Sequence, residues 1–315
     1  MNDLKIEDLH YDLTSQPIDE KNWNLNKWRT ENPMDYLKAL YILNMASNNI
    51  VQAETFKAIY RVTRMYIPDV LYKYYSLSAD KELNEKKFQT LLNEKIYMSD
   101  TNDFNDPYDS KGFFYDPAQL AGIKRLEACK GKIVDDFSSY IRATALTEND
   151  VQSMPMWAHY SNNHTGFCVT YDMNENTTLK SCTFPVQYIN ERLDITSIML
   201  QQAEQISNKI DRNIKIGEKE TVIHDLTIVF VPLLLYNLKL ETWSYEKEFR
   251  CTTAATAKGM PFMDAKPMEI YIGMHCSDEY TNRLIQIGKS LHIPVYKMTL
   301  DHFSPDYKLM MKPLT

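Results

Sequence analysis

The sequence predicts an α+β fold in which a central mixed or antiparallel sheet has flanking helices and is preceded by a small helical module. Segments with helical spacing and strand-like segments interleave irregularly, unlike a regular βαβ array. Hydrophobic residues make up 44% and charged residues 24% of the 315 residues, as in ordinary globular proteins. Glycine occurs only 8 times, and no GxGxxG or GxxxxGK[ST] string is present. A Rossmann or P-loop assignment therefore has no sequence support.

The first 66 residues are predicted to form an arm and a helical module. Residues 1–32 are polar and are expected to be irregular. Pro33 opens a helix that ends near Asn48, and a second helix follows over about 51–65 before Pro68 interrupts the pattern. We therefore expect a helical module at 33–66 and an α+β main domain at 67–315.

The main domain is predicted from periodicity and from aromatic or β-branched runs. LYKYYSL has the composition of a strand, whereas Leu83, Phe88 and Leu91 have helical spacing. Strands are predicted at 71–77, 95–100, 142–148, 166–172, 184–189, 246–253, 268–273 and 294–298. Helices are predicted at 82–94, 117–130, 133–141, 155–161 and 279–290, with a long helical pair within 193–238.

Charge, cysteine content and hydropathy narrow the functional classes. The net charge of -7 argues against a surface that coats nucleic acid nonspecifically. The longest apolar run, residues 226–235, is too short to span a membrane, and the N-terminus lacks the pattern of a signal peptide. Five cysteines without a CxxC pair argue against a disulfide framework or a structural metal. We expect a cytoplasmic protein with reduced thiols and no membrane partner.

The first candidate for chemistry is YEKEFR, residues 245–250. If this segment is a strand, Glu246, Glu248 and Arg250 project from one face. Two carboxylates at this spacing can line a polar cleft and stabilise positive charge in a transition state. Alternatively, the three side chains form a surface ladder in which Arg250 neutralises its neighbours.

The second candidate is SDTNDFNDPYDS, residues 99–110. Asp103, Asp106 and Asp109 recur at every third position, and hard cations prefer such oxygen-rich clusters. The spacing does not match an EF-hand, and Asn and Asp side chains commonly build turns by bonding to nearby backbone. The pattern favours turn chemistry.

The third candidate is MPMWAHYSNNHTGFCVTYD, residues 154–172. Pro155 suits the first turn of a short helix, and Gly166 starts a strand. Trp157 is expected in the core, as is Cys168, and the spacing of His159 and His164 matches no metal motif. We predict a core corner whose polar edge, His159, Tyr160 and His164, could face a ligand.

These motifs together resemble a family of bacterial and phage proteins catalogued as DUF2971. The resemblance spans about residues 70–255 and includes LYKYYSL, KIYMSDTNDFNDPYD, the M-W-x-H-Y-x-x-x-H-x-G-x-C string and W-x-Y-E-x-E-x-R. The family name implies no biochemical activity.

The order of three motifs is also similar to ADP-ribosyltransferases of the R-S-E class. That resemblance implies NAD as a substrate and Glu248 as the residue that stabilises the positive charge at the nicotinamide ribose. Glu246 would position the acceptor, and Lys73, where the family has arginine, would hold the pyrophosphate. The remaining implied NAD-binding residues are Thr147, or Thr144 on the same strand, with Tyr74, Trp157, His159 and Tyr160.

Three hypotheses follow from the sequence. The first is an NAD-dependent ADP-ribosyltransferase that modifies a protein or nucleic acid, as a phage-defence or toxin effector. The second is a magnesium-dependent nuclease that uses Asp103, Asp106, Glu246 and Glu248. The third is a non-enzymatic sensor that binds a partner chain through Leu40 and Phe56 of the helical module.

Overall fold

A computed structural model describes most of the chain. The described residues are 25–45, 49–104, 106–109, 111–133, 141–218, 233–254, 261–303 and 305–315. The chain divides into two units. Unit 1 comprises Met1–Tyr66, Thr101–Tyr140 and Pro185–Trp243, and unit 2 comprises Ile67–Asp100, Ile141–Phe184 and Ser244–Thr315. Unit 1 therefore adds two later segments, expected in the main domain, to the helical module.

Helices and strands alternate irregularly along the described residues. The helices are α1 (Leu25–Glu31), α2 (Tyr36–Met45), α3 (Asn49–Met65), α4 (Lys81–Leu92), α5 (Pro117–Leu120), α6 (Met154–Tyr160), α7 (Thr177–Ser181), α8 (Thr196–Lys215) and α9 (Asp278–Leu291). The strands are β1 (Val70–Tyr75), β2 (Lys95–Tyr97), β3 (Ser99–Asp100), β4 (Phe113–Phe114), β5 (Ile141–Thr147), β6 (Phe167–Asp172), β7 (Thr183–Pro185), β8 (Gln187–Ile189), β9 (Leu193–Asp194), β10 (Leu238–Leu240), β11 (Glu248–Ala254), β12 (Phe262–Asp264), β13 (Glu269–Ile272), β14 (Val295–Leu300) and β15 (Leu309–Pro313).

The largest sheet among the described residues has the strand order β15-β14-β13-β6-β1-β5-β11-β7, with β3 paired to β5. Strand β1 runs antiparallel to both of its neighbours, whereas β13 and β14 are parallel. The predicted α+β class with a mixed sheet and flanking helices is therefore confirmed. No helix in the described part of the chain is long and apolar enough to cross a membrane.

The two faces of this sheet pack against different helices, and we name them accordingly. On the α6 face, Tyr74 of β1 meets Trp157 of α6 edge-on, with ring centroids 5.1 Å apart. On the α4 face, Tyr75 stacks on Phe167 at 4.7 Å, and Phe167 packs against Phe88 of α4 at 5.9 Å. Because successive residues of a strand alternate between faces, each side chain of β1 is directed either to the α6 face or to the α4 face.

Short polar side chains cap the helices that cover the α4 face. Asp80 precedes α4 and accepts a hydrogen bond from the backbone N–H of Leu83 at 2.9 Å. Ser277 does the same for α9, accepting from the N–H of Tyr280 at 3.3 Å. These bonds satisfy N–H groups that have no partner within the helix and fix where each helix begins.

In unit 1, the predicted helical module packs against the segment Pro185–Trp243. The Tyr36 hydroxyl donates to the carbonyl of Pro185 at 2.7 Å, and Asn44 Nδ2 donates to Gln201 Oε1 at 2.7 Å. Leu40, predicted to contact a partner chain, is fully buried in α2. Leu40 is therefore unavailable for that role, whereas Phe56 of α3 is half-buried.

Some predicted elements differ from the structure. Residues 25–31, predicted as part of an irregular arm, form helix α1. The helix predicted at 117–130 is one turn, α5, followed by a 3-10 turn at Lys124–Leu126. The predicted strand at 184–189 divides between β7 and β8, and strands β12 and β15 were not predicted. Residues 1–24 and 134–140, and 219–232 of the predicted helical pair, lie outside the described residues.

Chain reversal explains why the helix predicted at 117–130 is interrupted. A continuous helix would separate Pro117 from Gly131 by about 21 Å at 1.5 Å per residue. Instead, Gly131 has φ +72°, and a Cβ atom placed on it would lie 1.9 Å from the Pro117 carbonyl oxygen. The segment folds back on itself, and only glycine fits at its end.

The connection from α6 to β6 is a left-handed turn. Asn162, Asn163 and His164 have φ angles of 51°, 53° and 64°. Asparagine tolerates this region better than most residues, which explains the NNH sequence. A Cβ atom at Gly166, where β6 approaches, would lie 1.9 Å from the Tyr75 carbonyl oxygen. The turn thus brings two backbones closer than a side chain allows.

We expect Gly166→Ala to destabilise the protein by about 2 kcal/mol or more, because the added methyl group must displace the backbone of β1. The free energy of unfolding in urea would measure this loss. Gly217→Ala is the control, since Gly217 has φ +80° but no atom within 4 Å of the added Cβ. A smaller effect at Gly166 than at Gly217 would contradict the close approach.

Candidate functional site

A buried ion pair lies on strand β11. Nε and Nη2 of Arg250 donate to Oε1 of Glu248 at 2.9 and 2.8 Å. Arg250 has no solvent exposure and Glu248 is 4% exposed. The two residues are two positions apart on one strand, so both side chains project from the same face. The predicted surface ladder is therefore wrong in its location, although Arg250 does neutralise Glu248.

Glu246 reaches the same region by a different route from the one predicted. It is not on a strand with Glu248, because β11 begins at Glu248 and Glu246 ends a 3-10 turn at Glu241–Glu246. Lys247 between them has φ 46°, so strand alternation does not apply. Glu246 is nevertheless only 3% exposed, and its Oε1 accepts a hydrogen bond from the Tyr160 hydroxyl.

Strand β5 holds the backbone of this segment. The Thr147 hydroxyl donates to the carbonyl oxygen of Glu246 at 2.5 Å, and Thr147 is directly opposite Glu248 in the sheet. Asn149 Nδ2 donates to the carbonyl oxygen of Tyr245 at 2.6 Å. Thr147 is thus part of the site, but its hydroxyl donates to the protein backbone. We call Thr147, Tyr160, Glu246, Glu248 and Arg250 the carboxylate site.

The Tyr160 phenol connects the two carboxylates electrostatically. Burial raises the pKa of Tyr160 far above its ordinary value, and the hydrogen bond to Glu246 raises it further. The negative charges of Glu246 and Glu248 add to this rise in pKa. The phenol therefore stays protonated and acts as a donor, and both glutamates act on the same group.

An aromatic rim lies at the exposed side of the carboxylate site. His159 is exposed, and its ring centroid lies 6.5 Å from that of Tyr160 and 6.2 Å from that of Tyr245. Tyr245 is 37% exposed. These rings offer surface to a planar ligand next to two buried carboxylates, an arrangement typical of binding pockets.

A row of polar residues extends from Glu248 across the α6 face. Each residue lies directly opposite the next on the neighbouring strand of the sheet. Across five adjacent strands the order is Glu248, Thr147, Tyr72, Thr170 and Glu269. At about 4.8 Å per strand, the row is about 19 Å long between its terminal backbones. The hydroxyl of Thr170 is buried and has no hydrogen-bond partner within the described part of the chain. We call this set the polar row.

At its far end, the polar row has a second glutamate that accepts a hydrogen bond from a tyrosine, as Glu246 does from Tyr160. The Tyr271 hydroxyl donates to Glu269 Oε2 at 2.5 Å, and Tyr271 stacks on Tyr296 at 5.1 Å. Burial raises the pKa of Tyr72, and the charge of Asp150 raises it further. The charge of Glu269 raises the same pKa by a smaller amount. Tyrosine hydroxyls on this face therefore remain donors at neutral pH.

Lys73 lies on the opposite face of the sheet from the carboxylate site. Its neighbour Tyr72 pairs with Thr147, so alternation directs Lys73 to the α4 face. There Lys73 Nζ donates to Thr144 Oγ1 at 2.7 Å and to the Ala145 carbonyl at 3.2 Å. Lys73 and Thr144 therefore lie on the opposite face of the sheet from Glu248, and the role of either residue in binding a pyrophosphate stays a prediction.

Tyr74 and Trp157, predicted to stack on NAD, are core residues. Trp157 has no exposure, and its Nε1–H donates to the Val151 carbonyl at 2.8 Å. Tyr74 is 8% exposed, and its hydroxyl donates to the Asp150 carbonyl at 2.6 Å. Both polar atoms bond to protein backbone, and both rings are buried in the same hydrophobic cluster, which leaves little of either ring exposed to a ligand.

His164 and Cys168 have structural surroundings. His164 stacks on Trp157 with centroids 6.0 Å apart and meets His275 at 5.8 Å. Burial lowers the pKa of His164, and His275 lowers it further. Burial raises the pKa of Cys168 well above its ordinary value, so the thiol is protonated and unreactive.

The aspartates of residues 99–110 serve turns and an ion pair. Asp106 Oδ1 accepts from the Tyr108 backbone N–H at 2.8 Å, and Asp109 pairs with buried Lys239 at 3.8 Å. Among the residues that the structure describes, no group of three or more His, Cys, Asp or Glu side chains could hold a metal. A nuclease using Asp103 and Asp106 stays a prediction.

Two residues of this face, Tyr72 and Glu269, had no functional signal in the sequence. They join the polar row only through pairing between distant strands. Tyr245 begins the motif YEKEFR, and an aromatic residue beside charged ones already favoured a ligand cleft there. Strand alternation from a known pairing would have found Tyr72.

The fold and site define an α+β protein with paired carboxylates on one face of a mixed sheet. A family model described as Protein of unknown function (DUF2971) matches residues 156–251. The predicted resemblance is confirmed over this segment, which contains Tyr160, Glu246, Glu248 and Arg250. The comparisons found no match among curated proteins and none among solved structures.

We expect Glu248→Gln and Arg250→Met each to cost about 3–5 kcal/mol, because each leaves a charged partner buried. The double variant should lose much less than the sum of the two, since neither charge is then present. Urea unfolding of all four proteins measures the coupling. Glu82→Gln, which removes one partner of the exposed pair with Lys86, is the control and should change stability by less than about 0.5 kcal/mol. Additive losses at Glu248 and Arg250 would contradict the ion pair.

Lys73 should make stability depend on alkaline pH. Burial lowers its pKa to about 8. Above that pH the folded chain has lost a proton that the unfolded chain keeps until about pH 10.4, so Lys73 becomes less destabilising as pH rises. Wild type should therefore gain stability relative to Lys73→Met between about pH 7.5 and 9.5, as measured by urea unfolding. A constant difference between the two proteins would refute the lowered pKa.

Proposed function

We propose that this chain is an NAD-cleaving enzyme of the ADP-ribosyltransferase type, with its active site at the carboxylate site. The observation that supports this best is the pairing of two buried glutamates with different partners. Glu248 is bound by Arg250, and Glu246 accepts from Tyr160. Two carboxylates in distinct environments can perform two different tasks in one reaction.

Glu248 stabilises the positive charge that develops on the nicotinamide ribose. The bond between the anomeric carbon and the nicotinamide nitrogen breaks, and nicotinamide leaves as a neutral molecule with the bonding electrons. The ribose then resembles an oxocarbenium ion, which a fixed carboxylate favours. Arg250 keeps Glu248 ionised and oriented, so the carboxylate needs little reorganisation during the reaction.

Glu246 assists the acceptor. The acceptor's nucleophilic atom forms a new bond to the anomeric carbon and releases a proton, which Glu246 takes up as general base. Tyr160, which remains protonated, positions the Glu246 carboxylate by its hydrogen bond. Thr147 orients the same segment through the Glu246 carbonyl.

The aromatic rim provides the stacking surface for NAD. His159 and Tyr245 are both exposed and lie within 6.2 Å of each other by ring centroid. They take the role expected of Tyr74 and Trp157, which are core residues. A planar nicotinamide or adenine ring can pack against such side chains.

The acceptor is a protein or a nucleic acid, and the biological setting is phage defence or toxin action in the cytoplasm. All five cysteines are free thiols, as expected in a reducing compartment. The exposed position of the aromatic rim supports access of a macromolecular acceptor to the site.

The direct test is incubation with NAD labelled separately in the nicotinamide and adenine portions. Wild type should release nicotinamide, and Glu248→Gln should be slower by about 10²–10³-fold, the usual cost of removing one electrostatic stabiliser. Glu246→Gln should lower transfer to an acceptor more than it lowers hydrolysis. Scintillation counting of nicotinamide and of labelled macromolecules separates the two activities.

Controls distinguish catalysis from folding. Lys73→Met should keep NAD cleavage, because Lys73 is on the α4 face. Circular dichroism and thermal melts must show that Glu248→Gln is folded at the assay temperature, and Glu248→Gln/Arg250→Met provides a second folded form without the glutamate. Wild type without nicotinamide release, or a folded Glu248→Gln with full activity, would rule out the proposal.

A further inference from the structure

A cavity of about 880 Å³ is lined by residues of unit 1, whereas the residues proposed for NAD cleavage belong to unit 2. Its walls are mostly apolar and come from the segment around α5, from one side of α8 and from the segment before β10. Representative wall residues are Phe113, Ile123, Leu126, Met199, Ile206 and Tyr236. This volume is in the range of small-molecule sites, which are typically apolar with a few polar groups.

Among the residues that the structure describes, none is a hydrogen-bond partner for three polar atoms of the cavity lining. They are Thr101 Oγ1, Asp106 Oδ2 and Gln202 Nε2, each buried and without a hydrogen bond. Thr101 is 4% and Gln202 is 9% exposed. An unsatisfied buried polar group is costly, and native proteins rarely retain several in one place. Thr101 Oγ1 and Gln202 Nε2 can donate, and Asp106 Oδ2 accepts. A ligand that satisfies all three atoms must therefore carry hydrogen-bond acceptors and one N–H or O–H donor.

The charge of the lining favours an anion. Four cationic side chains, Lys111, Arg125, Lys132 and Arg192, line the cavity with two carboxylates, Asp106 and Asp109. Arg125 pairs with Asp211 and Asp109 pairs with Lys239, and counting these two partners leaves a formal excess of two positive charges. The whole chain has a net charge of -7, so this lining is opposite in sign to the protein. A local excess of positive charge attracts anionic ligands.

Arg192 brings its charge next to the aromatic wall. Its guanidinium donates through Nε to the Lys111 carbonyl at 3.0 Å and lies 5.8 Å from the Phe114 ring centroid. The backbone bond fixes the position of the guanidinium, while its charge remains uncompensated by that neutral carbonyl. A carboxylate or sulfonate on an apolar molecule could approach this cation without leaving the apolar wall.

We infer that this cavity binds an amphipathic organic acid with an apolar body, an anionic group and an N–H or O–H donor nearby. The apolar body packs between α8 and the segment around α5. Gln202 Nε2 and the Thr101 hydroxyl donate to the acid or to an adjacent carbonyl, and Asp106 Oδ2 accepts from the N–H or O–H group. All three unpartnered atoms then have hydrogen bonds, and the ligand's anionic group compensates part of the excess positive charge of the lining.

Anilinonaphthalene sulfonate is a suitable probe, because it has an aromatic body, one N–H donor and one sulfonate. The full chain should bind it at a single saturable site, measured by fluorescence titration. N-dodecanoylglycine, which has an apolar chain, an amide N–H and a carboxylate, should displace it. Dodecyltrimethylammonium, which has a similar chain but a cationic head and no donor, should displace it at least about 10-fold less well.

Two variants of α8 locate the probe. Ala203→Trp fills the cavity and should abolish saturable binding, and Gln202→Met removes one donor and should weaken binding about 5–10-fold. Gln205→Met is the matched control on the exposed side of the same helix and should bind as wild type. Thermal melts confirm that each variant is folded.

Several results would overturn this inference. They are the absence of saturable binding to wild type, equal displacement by the cationic amphiphile, and unchanged binding by folded Ala203→Trp and Gln202→Met. Binding does not depend on NAD chemistry, so Glu248→Gln should keep full affinity for the probe. This control separates failure of the cavity site from failure of the proposed enzyme.

Discussion

The buried guanidinium of Arg250 is the constraint on which unit 2 depends. A fully buried cation is tolerated only when its charge is compensated and its donors are bonded. Glu248 supplies that compensation from two residues away on the same strand, so the pair forms only if this segment is extended. Pairing of β11 with β5 then places Thr147 opposite Glu248. The ion pair therefore favours an extended β11, and the pairing with β5 brings Thr147 to the same face of the sheet.

Packing of α6 completes this arrangement. Trp157 has no exposure and is anchored through its Nε1–H, which fixes the rotation of the helix about its own axis. Tyr160 is three residues further along, on an adjacent part of the helix surface, where it reaches Glu246. The left-handed turn at Asn162–His164 then returns the chain to β6. The backbone strain of that turn is offset by the packing of the tryptophan before it and the strand after it.

Local sequence patterns predicted many of the helices and strands of the main domain, because periodicity, composition and turn residues act over a few neighbouring positions. Helix α4 follows from side-chain spacing, β1 from its aromatic composition, and α6 from Pro155 in its first turn. The site was predicted less completely, because which residues share a face depends on pairing between distant strands. Lys73 and Glu248 are both on strands, yet only the pairing of Tyr72 with Thr147 shows that they face opposite ways. Glu246 was predicted to share a face with Glu248 because of strand alternation. In the structure Glu246 lies outside the strand, and it reaches the same region because Lys247 has a positive φ angle.

The two units are not successive segments of the chain, and this constrains how each site can be formed. The chain passes between the units after Tyr66, Asp100, Tyr140, Phe184 and Trp243. Each unit is therefore assembled from segments that are separated in the sequence by parts of the other unit, and ending the chain at Tyr66, Asp100 or Tyr140 removes strands or helices from both units. The last passage lies within the 3-10 turn that ends at Glu246. Along the sequence, Tyr236 of the cavity lining lies ten residues before Glu246 of the carboxylate site.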